Sequence, residues 1–255
     1  MTSYTYDATD KRSVNSLMGR VYGYMFFGIL ITAIIAFGVG ILFNIWIFGQ
    51  ISISEDLGNV DKIDRTGLIT LLVVLGISAL GVIIMSFVVQ GTYFRGRKSV
   101  LAPALIYCIL MGLLLSSLVM FVPWPVLGIT FLITASIFGI MFLISYLSKG
   151  SLNFLGVIGI GLFIGAALIS LVGWIFLLTG FLGNYMHLYW IVSFISFAAI
   201  MFITIWDMWR IKKIAEAGEM NDNLALFCAF TLYVDFIYLF LRVLRFVSYF
   251  FSRRN

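Results

Sequence analysis

Long apolar runs separated by short polar connections dominate the chain. Runs long enough to cross a bilayer fall at 21–48, 67–92, 99–121, 125–147, 152–181, 188–209 and 224–250, against a need of about 20 residues per helix. Each run is apolar around most of its circumference and lacks strand-like alternation, which suits lipid-facing helices and not a β-barrel. The pattern predicts an all-α membrane protein with seven transmembrane helices. It divides the chain into a polar cytoplasmic tail over 1–20, one seven-helix domain over 21–250 and a short basic tail over 251–255. The longest connection, at 49–66, leaves no room for a soluble domain, and the first run is too long for a cleaved signal peptide.

Composition sharpens this picture. The 255 residues are 62% hydrophobic and only 11% charged, whereas soluble domains are roughly half apolar and about a quarter charged. A soluble enzyme, a disordered regulator and a nucleic-acid-binding domain are excluded; a net charge of +5 is too thin to track phosphates. Cys108 and Cys228 both lie in apolar runs and offer neither a disulfide framework nor a zinc site.

The basic residues set the orientation. Lys11, Arg12, Arg20, Arg95, Arg97, Lys98, Lys149, Arg210, Lys212 and Lys213 fall on one side, and only Lys62 and Arg65 lie in the opposite connections. The N-terminus is therefore expected in the cytoplasm. Arg242, Arg245, Arg253 and Arg254 crowd the C-terminal end, which seven crossings place outside. Either they serve lipid headgroups there, or the last segment re-enters; seven true crossings are the preferred reading. Trp46, Trp124 and Trp190 fall at outer ends and Trp206 and Trp209 at an inner end, as interfacial aromatics do. His187 sits at an outer boundary with no ligating partner nearby in sequence. Gly156, Gly159, Gly161 and Gly165 mark close helix contacts in the fifth segment, where Gly161-x-x-x-Gly165 is read as a helix-packing motif.

Nine of the eleven acidic residues lie in the tail or connections; Asp207 and Asp235 lie inside apolar segments. A carboxylate at the bilayer centre costs about 2.5–3.5 kcal/mol on insertion scales, so such residues point to a polar site inside the bundle. Thr231, Asp235, Tyr238 and Arg242 follow one another at helical spacing and form a polar stripe on the seventh segment. Asp207 ends the sixth segment, where pairing with Arg210 or Lys212 is the purely structural alternative. For Asp235 that alternative is a neutral acid hydrogen-bonded to a neighbouring helix. No hydrolase signature is present, and no enzyme activity or cofactor is expected.

The sequence Leu-Tyr-Val-Asp-Phe-Ile-Tyr-Leu-Phe at 232–240 resembles the closing helix of the transmembrane Bax inhibitor motif family, whose pattern is Leu-Tyr-Leu-Asp-Phe-Ile-Asn-Leu-Phe. Trp206-Asp-Met-Trp-Arg-Ile-Lys212 resembles that family's Tyr-Asp-Thr-Gln-x-Ile-Lys, and Arg20-Val-Tyr-Gly-Tyr-Met with Leu30-Ile-Thr-Ala33 is similar to its bacterial branch. The resemblance implies seven helices, the last central and wrapped by three helical pairs. It implies that Asp207 and Asp235 share a proton and act as a pH sensor for a calcium leak. Arg95, in Tyr93-Phe-Arg-Gly-Arg-Lys98, matches an arginine that pairs with the aspartates when the pore opens. Trp206, Trp209 and Tyr238 depart from the family's tyrosine, glutamine and asparagine, so the surroundings of the pair differ.

Two carboxylates in contact cannot both ionise cheaply and titrate as one unit. The shared-proton state is expected to hold the sixth and seventh helices together, and deprotonation to favour a bridging cation or Arg95. Calcium takes six to eight oxygens, and two carboxylates supply at most four, so occupancy at Asp207 and Asp235 would be weak and transient. Lipid, protons and calcium as the permeant ion are the expected partners, in a plasma or inner membrane, or an organelle membrane in a eukaryote. A membrane-embedded regulator binding a membrane protease or other membrane partner is one rival; a proton-coupled small-solute transporter is another. Depth poses a difficulty, because Asp207 falls near the inner face and Asp235 about 18 Å in from it at 1.5 Å per residue. They meet only if the seventh helix begins on the cytoplasmic side with residues 224–230 shielded by protein.

Overall fold

The computed structural model describes the backbone of residues 3–53, 65–96, 99–178, 185–217 and 221–252, with side chains except at 3–15, 46–53, 65–68, 174–178, 185–188 and 252. Lys62, Arg97, Lys98, Arg253 and Arg254 lie outside the described residues, as do the side chains of Lys11, Arg12, Trp46, Arg65 and His187. The described residues form seven helices: α1 (Ser3–Ile53), α2 (Arg65–Phe94), α3 (Leu101–Phe121), α4 (Trp124–Leu147), α5 (Asn153–Leu178), α6 (Tyr185–Glu216) and α7 (Asp222–Ser252). Each contains a stretch long and apolar enough to cross a membrane, and no strand occurs among the described residues.

Two helix boundaries differ from those expected, for the same reason. The polar segment that precedes the first apolar run is itself helical from Ser3, although the apolar span of α1 begins only at Ser16. Helix α6 continues beyond residue 209 to Glu216. A hydrophobic run ends at its first cluster of charges, but a helix does not. In the extension Ile211 and Ala215 are buried, while Lys213 and Lys212 pair with Glu216 at 2.6 and 3.9 Å along the outer face. Lys212 also donates to the carbonyls of Tyr146 and Ser148 at 2.6 and 3.1 Å, satisfying acceptors that the end of α4 leaves open.

The chain forms two compact units. One contains residues 19–127 and 220–233, hence most of α1, all of α2 and α3, and the first turns of α7. Helix α7 opens with Asn221 as a cap, its side-chain oxygen accepting the Asn223 amide at 3.1 Å, and Arg20 bonds Asp222 at 2.7 Å. Residues Leu224, Ala225, Cys228, Ala229 and Phe230 are buried. Phe227 stacks on Tyr93 at 4.1 Å, and Tyr107 meets Phe230 edge-on at 4.9 Å. Close helix approach is enforced by Gly112 and Gly40, where an added Cβ would stand 2.9 Å from the carbonyl oxygens of Thr32 and Ser116 respectively.

At the centre of this unit Thr32 is buried, donates to the Cys108 carbonyl at 3.1 Å and meets the Tyr233 hydroxyl at 2.7 Å. A threonine hydroxyl has one hydrogen. With that hydrogen on Cys108, Tyr233 must be the donor to Thr32. Tyr233→Phe is expected to lower stability by about 1 kcal/mol, read as a shift of the unfolding midpoint in detergent.

The second unit contains residues 1–18, 128–219 and 234–255, hence most of α4, all of α5 and α6, and the remainder of α7. Helices α5 and α6 pack along a seam of small residues. A Cβ on Gly156 would stand 2.6 Å from the Trp206 indole, and one on Gly159 would stand 3.0 Å from the Ile203 backbone nitrogen. Gly161 and Gly165 have nothing within 4 Å of that position, so the glycine pair read from sequence as the packing motif is not the one in contact. The contact face is that of Gly156 and Gly159, three residues apart, and Gly161 falls on another side of the helix.

Candidate functional site

Asp207 stands nine residues before the end of α6 and Asp235 thirteen residues after the start of α7. At 1.5 Å per residue these are about 14 and 20 Å from the connection between the helices, so the extension of α6 removes most of the difference in depth expected from sequence. The protein shield demanded for residues 224–230 is also present, in the buried face just described.

Both aspartates lie in the same unit, and each is only 8% exposed. Their carboxyl groups are within hydrogen-bonding reach of one another, and Asp235 also reaches the Thr204 hydroxyl. Thr204 donates its hydrogen to the Ile200 carbonyl at 2.8 Å. The Oδ2 atom of Asp235 is buried without a hydrogen-bond partner among the described residues. Neither Arg210 nor Lys212 forms an ion pair with Asp207 among the described residues: Arg210 lies 5.6 Å from the Trp206 ring, and Lys212 serves the end of α4. Arg210 nevertheless stands close enough for its charge to act on Asp207. Trp206 is held in turn by Gly156 and by Asn153, whose side-chain oxygen accepts the indole N–H at 3.3 Å.

The other residues of the expected site are placed as follows. Thr231 is half-buried and donates to its own helix at the Phe227 carbonyl, 3.2 Å away. Tyr238 is 48% exposed, and Arg242 is half-buried near the far end of α7. Arg95 is exposed just after α2, donating its amide to Gly91 at 3.1 Å; it belongs to the other unit. Among the described residues no group of three or more His, Cys, Asp or Glu side chains is gathered. A cation at the aspartates would draw on those two carboxyls, with water or backbone carbonyls to complete its shell.

Thr204 and Asn153 escaped sequence reasoning. For Thr204 the signal was available: Ser193, Ser196, Thr204 and Asp207 recur at spacings that keep one face of a helix, and all four are buried. Asn153 gave no such signal, because it reaches Trp206 across a separation of 53 residues.

An all-helical multi-pass membrane protein with two buried aspartates within reach of one another on its last two helices is the class that fold and site define. The chain belongs to the Bax inhibitor family: the family described as "Inhibitor of apoptosis-promoting Bax1" matches residues 14–253. It is 30% identical over 241 residues to the inner membrane protein YbhL of Escherichia coli K12, covering 92% of each chain. It is 36% identical over 147 residues to protein RP147 of Rickettsia prowazekii, covering 56% of this chain and 59% of that one. With YrjE of Lactococcus lactis the identity is 24% over 241 residues, 92% of each chain. No solved structure matches the chain.

Proposed function

We propose that this protein is a pH-sensitive calcium leak channel of the cell membrane, with the N-terminus in the cytoplasm, gated by a proton shared between Asp207 and Asp235. One observation carries the reading: two carboxyls from neighbouring helices are buried within reach of each other, and one carboxyl oxygen is left unpartnered. Two adjacent carboxylates in an apolar interior repel each other and have lost their hydration. One proton between them converts repulsion into a hydrogen bond that holds α6 to α7. As the pH rises and that proton leaves, the bond becomes a repulsion, and a passing cation or Arg95 takes its place. Calcium would find two carboxylates and water there, enough for transit and too little for storage.

In this reading α7 occupies the centre of three helical pairs. Its burial supports that: in an apolar 18-residue stretch of each helix, 61% is buried in α7, compared with 50% in α6 and no more than 39% in the others. Residues 21–250 form the channel domain, flanked by the segments 1–20 and 251–255. The stripe of Thr231, Asp235, Tyr238 and Arg242 provides polar positions along α7.

The test is calcium entry into proteoliposomes loaded with a calcium dye, measured from about pH 6 to 8. Flux that increases with pH is the expected result. Flux absent at every pH would overturn the channel and leave a membrane-embedded regulator that senses a membrane partner.

A further inference from the structure

Arg242 and Arg245 lie three residues apart on α7, on one face of the helix. Arg242 stands twenty residues beyond Asp222, about 30 Å along the helix, which is the thickness of a bilayer's hydrocarbon core. The pair therefore sits at the membrane boundary opposite the connection between α6 and α7. Neither arginine has an acidic partner among the described residues.

The surroundings of the pair come from the start of α6, in the same unit. The Arg245 guanidinium lies 5.3 Å from the Tyr189 ring centre and donates to the Ser193 hydroxyl at 3.4 Å, a long bond. Arg242 neighbours both Arg245 and Tyr189. Trp190, next to Tyr189, packs edge-on against Tyr249 at 4.3 Å and stacks on Phe246 at 5.9 Å, an aromatic cluster one turn beyond the two arginines on α7. One turn nearer the middle of the span, on the same face of α7, Tyr238 leaves 48% of its surface open, and Phe194, packed against Phe246 level with the arginines, leaves 59%.

Two adjacent, like-charged guanidiniums repel each other, and an apolar boundary does not screen them well. An anion between them relieves that repulsion, and a guanidinium fork fits two phosphate oxygens. We propose that Arg242 and Arg245, with Tyr189, form a binding site for the phosphate of an anionic phospholipid. The headgroup phosphate lies between the guanidiniums, and the acyl chains run along α7 past the exposed Tyr238. A lipid is favoured over free phosphate because the charges sit at the boundary depth, with an open aromatic surface one turn below them. The assignment depends on neither calcium flux nor the aspartate pair.

The test is native mass spectrometry of the detergent-purified full chain with phosphatidylglycerol or phosphatidylcholine, repeated in the presence of inorganic phosphate. Wild type is expected to bind phosphatidylglycerol about tenfold more tightly than phosphatidylcholine. Arg242→Gln/Arg245→Gln is expected to remove most of that preference, and Arg210→Gln, at the other end of the bundle, to retain it. Equal binding of the two lipids by wild type would overturn the proposal without recourse to any variant. So would a double variant that keeps the full preference, or millimolar phosphate that displaces the lipid completely and stabilises the protein equally well alone.

Discussion

Asp235→Asn is expected to flatten the pH profile of calcium flux. In wild type a single shared proton separates the closed from the open state, so flux is expected to change roughly tenfold across its titration range. Asparagine has nearly the shape of aspartate, carries no charge at any pH and can donate an amide hydrogen to Asp207. It thus imitates the proton-bearing pair permanently. Flux in the variant should stay at the low-pH level of wild type, changing less than about twofold over the same range. Asp207→Asn should act in the same way, because the proton belongs to the pair. Asp235→Ala is the informative contrast: it removes both charge and hydrogen bond, so it should be pH-insensitive with higher flux. A wild-type pH profile in both asparagine variants would remove the aspartates from gating.

Gly156→Val is expected to be among the most damaging single substitutions in the α5–α6 seam. The new Cβ would meet the Trp206 indole at 2.6 Å, and that ring is restrained by Asn153 and by the backbone beside Asp207. Overpacking of this kind costs about 1–3 kcal/mol. The expected result is a lower melting temperature in detergent, together with a shifted pH response, since Trp206 cannot retreat without moving the adjacent carboxyl. Gly161→Val, which places its methyl groups in open space, should leave both properties unchanged. Equal damage at the two positions would mean that the contact with Trp206 is not responsible, since valine is a better helix former than glycine at both.

The seven helices and the two aspartates were legible in the sequence because bilayer physics writes them in large letters. Twenty apolar residues have few other uses, and an acid among them needs an explanation. What escaped was set by side chains that meet across long stretches of chain. The hydroxyl network of Thr32 and Tyr233 spans 201 residues, and no local pattern announces it. The end of α6 was misplaced because hydropathy tracks lipid contact, and Ile211 and Ala215 are buried by protein. Of the four glycines that mark close contacts in the sequence, Gly156 and Gly159 meet α6 and Gly161 and Gly165 do not, because small residues show where a helix permits close approach without showing which face a neighbour uses.

Helix α7 contributes residues 222–233 to one compact unit and 234–252 to the other, and its backbone is helical without interruption between them. Neither unit therefore has a complete interior of its own. Withdrawing the helix from one strips buried surface such as Leu232 and Tyr233, and withdrawing it from the other strips Phe236 and Leu239. An α-helix cannot melt at a single point without losing several hydrogen bonds on either side. The division visible in the architecture is thus not a division in stability: the two halves share one rod, and they should unfold in a single cooperative transition.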